Sequence, residues 1–188
     1  MGLVRPSINN HVGTHTLIGV THVIDVHMAE VKTNPMRTLD RSGVSYTVHT
    51  YEENPKLTGS DIAHMLGEDP DRVFKTLVTM TKDKRYYVFV IPVGKELDLK
   101  KAAASVGEKS VSMMPAAQLL SVTGYVHGGC SPFCMRRPFV TVIDSSVSDG
   151  EIVYVSAGKV GYQMELSVKD FLNVGKFRVA DISREASG

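Results

Sequence analysis

Short strand-like runs of hydrophobic residues, some broken by polar ones, dominate the chain. Residues 44–51 ("VSYTVHTY") alternate hydrophobic with polar, and 72–80 ("RVFKTLVTM"), 85–93 ("RYYVFVIPV"), 139–144 ("FVTVID"), 152–156 ("IVYVS") and 160–166 ("VGYQMEL") are rich in β-branched and aromatic residues and bounded by turn residues. A period near two is the spacing of strands that bury one face. "TKDK" (81–84) separates two of them and predicts a hairpin, and "FRVADI" (177–182) reads as a closing strand. Helical signals are shorter. "NPMRTLDRSG" (34–43) offers an Asn N-cap, Pro at the first helical position and a Gly stop. "SDIAHMLG" (60–67) is capped at both ends, "DLKKAAASVG" (98–107) opens on Asp98, and "PAAQLL" (115–120) starts at Pro115. "SVKD" (167–170) resembles a capping box and opens a last helix. The fold class expected is mixed α/β: a curled, largely antiparallel mixed sheet surrounded by short helices.

Composition narrows this further. With 188 residues, 43% of them hydrophobic, one domain can bury a substantial core without metal or disulfides. The formal net charge of +1 is no global signature of nucleic-acid binding. Any RNA contact must therefore come from local clusters such as Arg136–Arg137 or Lys100–Lys101. Two cysteines make no secreted disulfide framework, so a cytoplasmic location is expected. No apolar run approaches the roughly 20 residues of a membrane span.

Residues 1–27 differ from the rest. They carry His11, His15, His22 and His27, lack lysine, and include one loosely alternating run (17–26) fit for an edge strand. They read as an extension to a single domain spanning 28–188, and the spaced histidines as incidental to function.

The familiar catalytic signatures are missing: no GxSxG elbow, no HExxH, no P-loop and no GxGxxG after a strand. Lys75 and Thr76 stand inside an otherwise apolar strand run, where an ammonium needs either solvent or a partner. Alternation alone allows Lys75 to point at water. "GGCSPFCMRR" (128–137) suits neither helix nor strand. A plain turn is one reading of it. A loop that bares backbone N–H groups to a ligand is another, since glycine permits unusual φ and close approach. His127, Cys130 and Cys134 match no usual zinc spacing.

Taken in order, "VFKTL", "LDLKKAA", "SVTGYVHGGCSP", "TVID", "IVYVSAGK" and "MELSVKD" resemble the YbaK family of aminoacyl-tRNA deacylases, related to the editing domain of bacterial prolyl-tRNA synthetases. The likeness runs from about Pro35 to Ile182. It implies trans-editing hydrolysis of mischarged aminoacyl-tRNA, chiefly Cys-tRNA(Pro), because a proline pocket cannot exclude similarly small side chains. It also implies a mechanism in which the substrate's own thiol attacks its ester, leaving the protein to orient the ester and stabilise the oxyanion. The resemblance leaves three alternatives open: a non-catalytic module that binds tRNA ends or the synthetase, a deacylase for Ala-tRNA(Pro), and one for another acyl ester.

By resemblance, Lys75, Gly128 and Gly129 carry the catalytic role. Tyr51, Thr76, Cys130, Ser131, Pro132, Asp144 and Gly158 fall at substrate-binding positions. Arg136 and Arg137 are candidates for RNA phosphate, or else a solvated pair. The partners implied are the aminoacylated tRNA 3′ end and prolyl-tRNA synthetase, with no metal and no organic cofactor. Three departures bear on acyl-group choice: Cys130 replaces an aliphatic residue, "SPFCMRR" replaces "SPLGQKK"-like text, and Ala157 replaces a glycine. Phe133 and the cysteines are therefore expected to reshape the pocket. Packing is the expected role of Cys130, with capture of a thioester intermediate as the alternative.

Overall fold

The computed structural model describes residues 31–54 and 56–186. The expected tail, with its edge-strand run and histidines, lies outside them. The strand-like runs become β1 (Thr47–Thr50), β2 (Phe74–Met80), β3 (Tyr86–Pro92), β6 (Val140–Asp144), β7 (Ile152–Ser156) and β8 (Tyr162–Ser167). Three short strands went unread: β4 (Lys95–Leu97), β5 (Ser112–Met113) and β10 (Ser183–Glu185). Each is too brief to show a period.

Helices α1 (Asn34–Arg41), α2 (Gly59–Leu66), α3 (Leu99–Ser105) and α5 (Val168–Gly175) fall where expected. The N-cap of α1 is Thr33 and not Asn34: the Thr33 hydroxyl accepts from the Met36 N–H at 3.4 Å, which moves Pro35 one position into the helix. "PAAQLL" begins as a 3-10 turn at Ala116–Gln118 before α4 (Leu119–Thr123). "FRVADI" does not run on as one strand. Only Arg178–Ala180 of it is a strand, β9, and β10 begins past its end. Asp144 accepts from the N–H groups of Ile182 (3.1 Å) and Ser183 (2.9 Å), and this turns the chain away from β6.

The five-stranded sheet has the order β5-β2-β3-β6-β9, a three-stranded sheet the order β1-β8-β7, and β4 and β10 pair separately. β2–β3, β2–β5 and every pairing of the two smaller sheets are antiparallel, whereas β3–β6 and β6–β9 are parallel. A parallel bridge between Val73 and Tyr154 joins the two larger sheets into one curled surface.

Both faces of β3 and β6 are covered. Val88, Val90 and Ile143 join Met36 and Leu39 of α1 and Phe171 of α5 in one core. Phe89, Ile91 and Val142 pack with Ala102 and Ala103 of α3 in a second. Leu39 and Phe171 are wholly buried, each contributing about 1.5–3 kcal/mol. Among the described residues no helix is long and apolar enough to cross a membrane.

Candidate functional site

Strand alternation sends Phe74 and Thr76 to one side of β2 and Val73 and Lys75 to the other. Phe74 enters the first core, while Val73 packs with Ala63, Val93 and Tyr154. The Val73–Tyr154 bridge extends this second face onto β7. From there it follows the register: Ser156 stands opposite Gln163, and Gln163 opposite His49. Tyr51 lies two residues beyond His49, and its N–H donates to the Gly161 carbonyl at 3.0 Å. The result is a polar strip across β2, β7, β8 and β1, carrying Lys75, Ser156, Gln163, His49 and Tyr51. Thr76 is not part of it. Its hydroxyl is buried on the opposite face and, among the described residues, has no hydrogen-bond partner.

Lys75 is half-buried, and its ammonium donates to the Val93 carbonyl at 3.0 Å. Burial lowers its pKa, and Glu96 acts in the opposite direction. The open-solvent reading allowed by the sequence is thus replaced by a held ammonium.

At the end of the β7–β8 hairpin, residues 157–161 meet the glycine loop. A Cβ on Gly129 would lie 3.1 Å from the Val160 nitrogen and 3.3 Å from the Lys159 carbonyl carbon, so the two loops touch through backbone. Gly158, at φ +87°, fits between Pro35 and Tyr125, each of which a Cβ would approach to 3.0 Å. The Gly129 N–H is committed to the Val126 carbonyl at 3.1 Å. Among the described residues, the Gly128 N–H meets no protein acceptor, and Gly128 is exposed at φ +78°. Cys130, Ser131 and Pro132 are buried. Burial pushes the Cys130 thiol up to about 12, despite a hydrogen bond from Thr123 acting the other way. Phe133 does not enter the site. It packs edge-on against Phe171, with ring centroids 5.6 Å apart, and so anchors the loop in the core.

Asp144 is likewise committed. Oδ1 accepts from the Ser146 N–H (3.1 Å) and hydroxyl (2.6 Å), and Oδ2 takes the Ile182 and Ser183 N–H groups. Burial alone would raise its pKa, but these donors together hold it below the usual carboxylate range. Asp144 borders an open groove of about 600 Å³, which Lys95, Lys101, Asp181 and Arg184 also line, away from the glycine loop. Arg136 and Arg137 are exposed. The Arg136 N–H donates to the Thr123 carbonyl at 3.0 Å, and the Arg137 guanidinium lies 5.9 Å from the Phe139 ring centre.

Sequence reasoning missed a buried titratable group beside the strip. Glu68, just after α2, is 8% exposed, and neither carboxylate oxygen has a hydrogen-bond partner among the described residues. Burial raises its pKa to about 7, which the nearby His49 and the Gln163 amide only soften. His49 places Nδ1 4.0 Å from Glu68 and Nε2 2.6 Å from Glu165. The Gln163 carbonyl oxygen is also buried and unpartnered. The signal available in the sequence was His49, Gln163 and Glu165 on the alternate positions of two runs. Glu68 gave none, because it follows a helix stop. Among the described residues no three His, Cys, Asp or Glu side chains are grouped to hold a metal ion.

The family model described as "Aminoacyl-tRNA editing domain" matches residues 53–174. A curated protein of Enterococcus faecalis named "Putative Cys-tRNA(Pro)/Cys-tRNA(Cys) deacylase EbsC" is 37% identical over 153 residues, covering 81% of this chain and 93% of its own. Among solved structures, one described as "a putative trans-editing enzyme for prolyl tRNA synthetase" aligns with TM-score 0.70 at 21% identity, covering 82% of this chain and 99% of that one. A hypothetical protein aligns with TM-score 0.71 at 24% identity, covering 79% and 97%. The two structures show the shared fold.

Proposed function

The chain belongs to the aminoacyl-tRNA editing domain family, and from that premise we propose that it hydrolyses mischarged Cys-tRNA(Pro) in trans. One observation carries this reading: a single polar strip bearing Lys75, Ser156, Gln163 and Tyr51 ends at backbone-lined glycine loops, with no activated nucleophile on it. Cys130 is buried and held as a thiol, and His49 is engaged by Glu165.

The nucleophile is then the substrate's own side chain. The cysteinyl thiol attacks its ester carbonyl, and the C–S bond forms as the bond to the ribose oxygen breaks. The thiol proton passes to that departing oxygen, and water later opens the cyclic thioester. The protein's part is placement and charge stabilisation. The Gly128 N–H faces the developing oxyanion. Gly129, whose own N–H is spent, supplies the close approach between loops. Lys75 holds the 3′-terminal nucleotide or the aminoacyl end, and Tyr51 hydrogen-bonds the acyl group. Thr76, Ser131, Pro132 and Gly158 position this frame from behind, while Asp144 ties down the turn at residues 182–183.

The relative's name supports cysteine as the acyl group. The net charge of +1 gives little long-range pull on RNA, which favours delivery of the substrate by a prolyl-tRNA synthetase partner. The test is deacylation of Cys-tRNA(Pro) and Ala-tRNA(Pro), side by side. Clearance of the cysteinyl ester well ahead of the alanyl ester supports the thiol route. Equal clearance of both removes it, and clearance of neither above the spontaneous rate leaves a binding module.

A further inference from the structure

We propose that the polar face of α1, together with residues 136–137, forms an arginine surface that grips the RNA backbone of the substrate as it enters the site. The inference rests on the editing function proposed above and extends it to how the RNA is held. Asn34, Arg37, Thr38 and Arg41 recur at helical spacing and form one face, opposite the buried Met36 and Leu39. Two contacts fix this helix against the candidate site. Pro35 packs against Gly158, and the Thr38 hydroxyl lies 3.0 Å from the Cys134 sulfur. The second contact brings the helix face up to the chain that continues into Arg136 and Arg137.

All four arginines are exposed, and among the described residues none is within 4.0 Å of a carboxylate. The acidic residue of the same helix is already taken, since Asp40 accepts from Lys32 at 3.2 Å and from the Tyr46 hydroxyl at 2.9 Å. The guanidiniums are also pre-placed. Arg41 donates to the Thr38 hydroxyl at 3.2 Å, Arg37 to the Asn34 side chain at 3.5 Å, and Arg137 lies over Phe139. The aliphatic stem of Arg136 rests on Gly124, where a Cβ would come within 3.1 Å of it.

The other basic pair is used differently: Lys101 is bound to Asp181 at 2.8 Å. Other basic side chains also stand outside ion pairs, but these four arginines share one surface, and that surface lies beside the glycine loops. Arginine forks match phosphate oxygens, and spaced phosphates along one strand are the polyanion this surface fits.

The experiment measures binding of uncharged tRNA by anisotropy across a salt series, alongside KM and kcat for Cys-tRNA(Pro) and for a short cysteinyl-adenosine ester. The proteins are wild type, R37A/R41A, R136A/R137A and the control K82A/K109A. Each arginine pair is expected to weaken tRNA binding about tenfold and to lower the salt slope by roughly 1.5. KM for the tRNA ester should rise, kcat on the short ester should be unchanged, and the control should match wild type. An unchanged salt slope in both arginine variants, or an equal loss in the control, overturns the surface. Because tRNA binding is read without hydrolysis, an inactive wild type would count against the editing function while the surface is still decided by anisotropy.

Discussion

The Lys75 ammonium ends on the Val93 main-chain carbonyl, 3.0 Å away, so the strand charge is held in place before any substrate arrives. A held, half-desolvated ammonium loses less on binding an anionic or carbonyl group than a freely hydrated one. Lys75→Ala is expected to lower kcat/KM for Cys-tRNA(Pro) by about 10²-fold. The thermal midpoint should move little, because the partner left behind is a single carbonyl near the sheet end. A variant with near-wild-type turnover would remove Lys75 from the site.

Glu68 makes stability pH-dependent. Its carboxyl titrates near 7 in the folded chain against an ordinary 4.5, chiefly because of burial, so the folded state holds the proton more tightly. That contribution is fully present below about pH 4.5 and is lost as pH rises through about 7, up to roughly 3 kcal/mol. Glu68→Gln keeps the shape and removes the titration. Urea unfolding at pH 5 and pH 8 should show the variant gaining on wild type at the higher pH. Parallel curves at both pH values would mean that the carboxylate is not buried as described.

Gly128 and Gly158 separate backbone strain from crowding. Both have positive φ, but a Cβ on Gly128 meets nothing nearer than 3.8 Å, whereas one on Gly158 meets Pro35 and Tyr125 at 3.0 Å. Gly128→Ala should cost about 1–2 kcal/mol, the left-handed penalty alone. Gly158→Ala should cost about 1–2 kcal/mol more, because the α1 contact must also shift. Equal losses by urea denaturation would show that α1 does not press on that loop.

The two cysteines should differ in reactivity. Cys130 is buried with its thiol pushed up to about 12, and Cys134 is exposed. At pH 8 the native protein should take up one equivalent of iodoacetamide, at Cys134, and a second only when unfolded. Cys130→Ala should leave turnover and products unchanged. A changed product pattern would revive Cys130 as an interceptor of the thioester.

Local patterns read correctly wherever one physical preference acted alone. The strand-like runs 72–80 and 85–93 gave a hairpin, because both are rich in strand-forming residues and a polar turn joins them. Asp98 capped α3 by accepting from the Lys100 and Lys101 N–H groups, a bond made within one turn of chain. The glycine loop was visible as a run no regular element tolerates. The motif set from "VFKTL" to "MELSVKD" pointed to a family, and so to the residues worth placing.

What tertiary structure decided was direction and neighbourhood. Lys75 and Thr76 are adjacent in the motif, yet alternation plus the Val73–Tyr154 bridge puts them on opposite faces. "FRVADI" looked like one strand, but Asp144, 38 residues before Ile182, takes the Ile182 N–H at its end and the Ser183 N–H just past it. Phe133 belonged to the site by position in the motif and to the core by contact with Phe171. Glu68 drew no notice because a residue's burial depends on what folds over it. Sequence fixes the intrinsic preferences of each short segment; which groups lose their water is settled only when segments distant in the chain close upon one another.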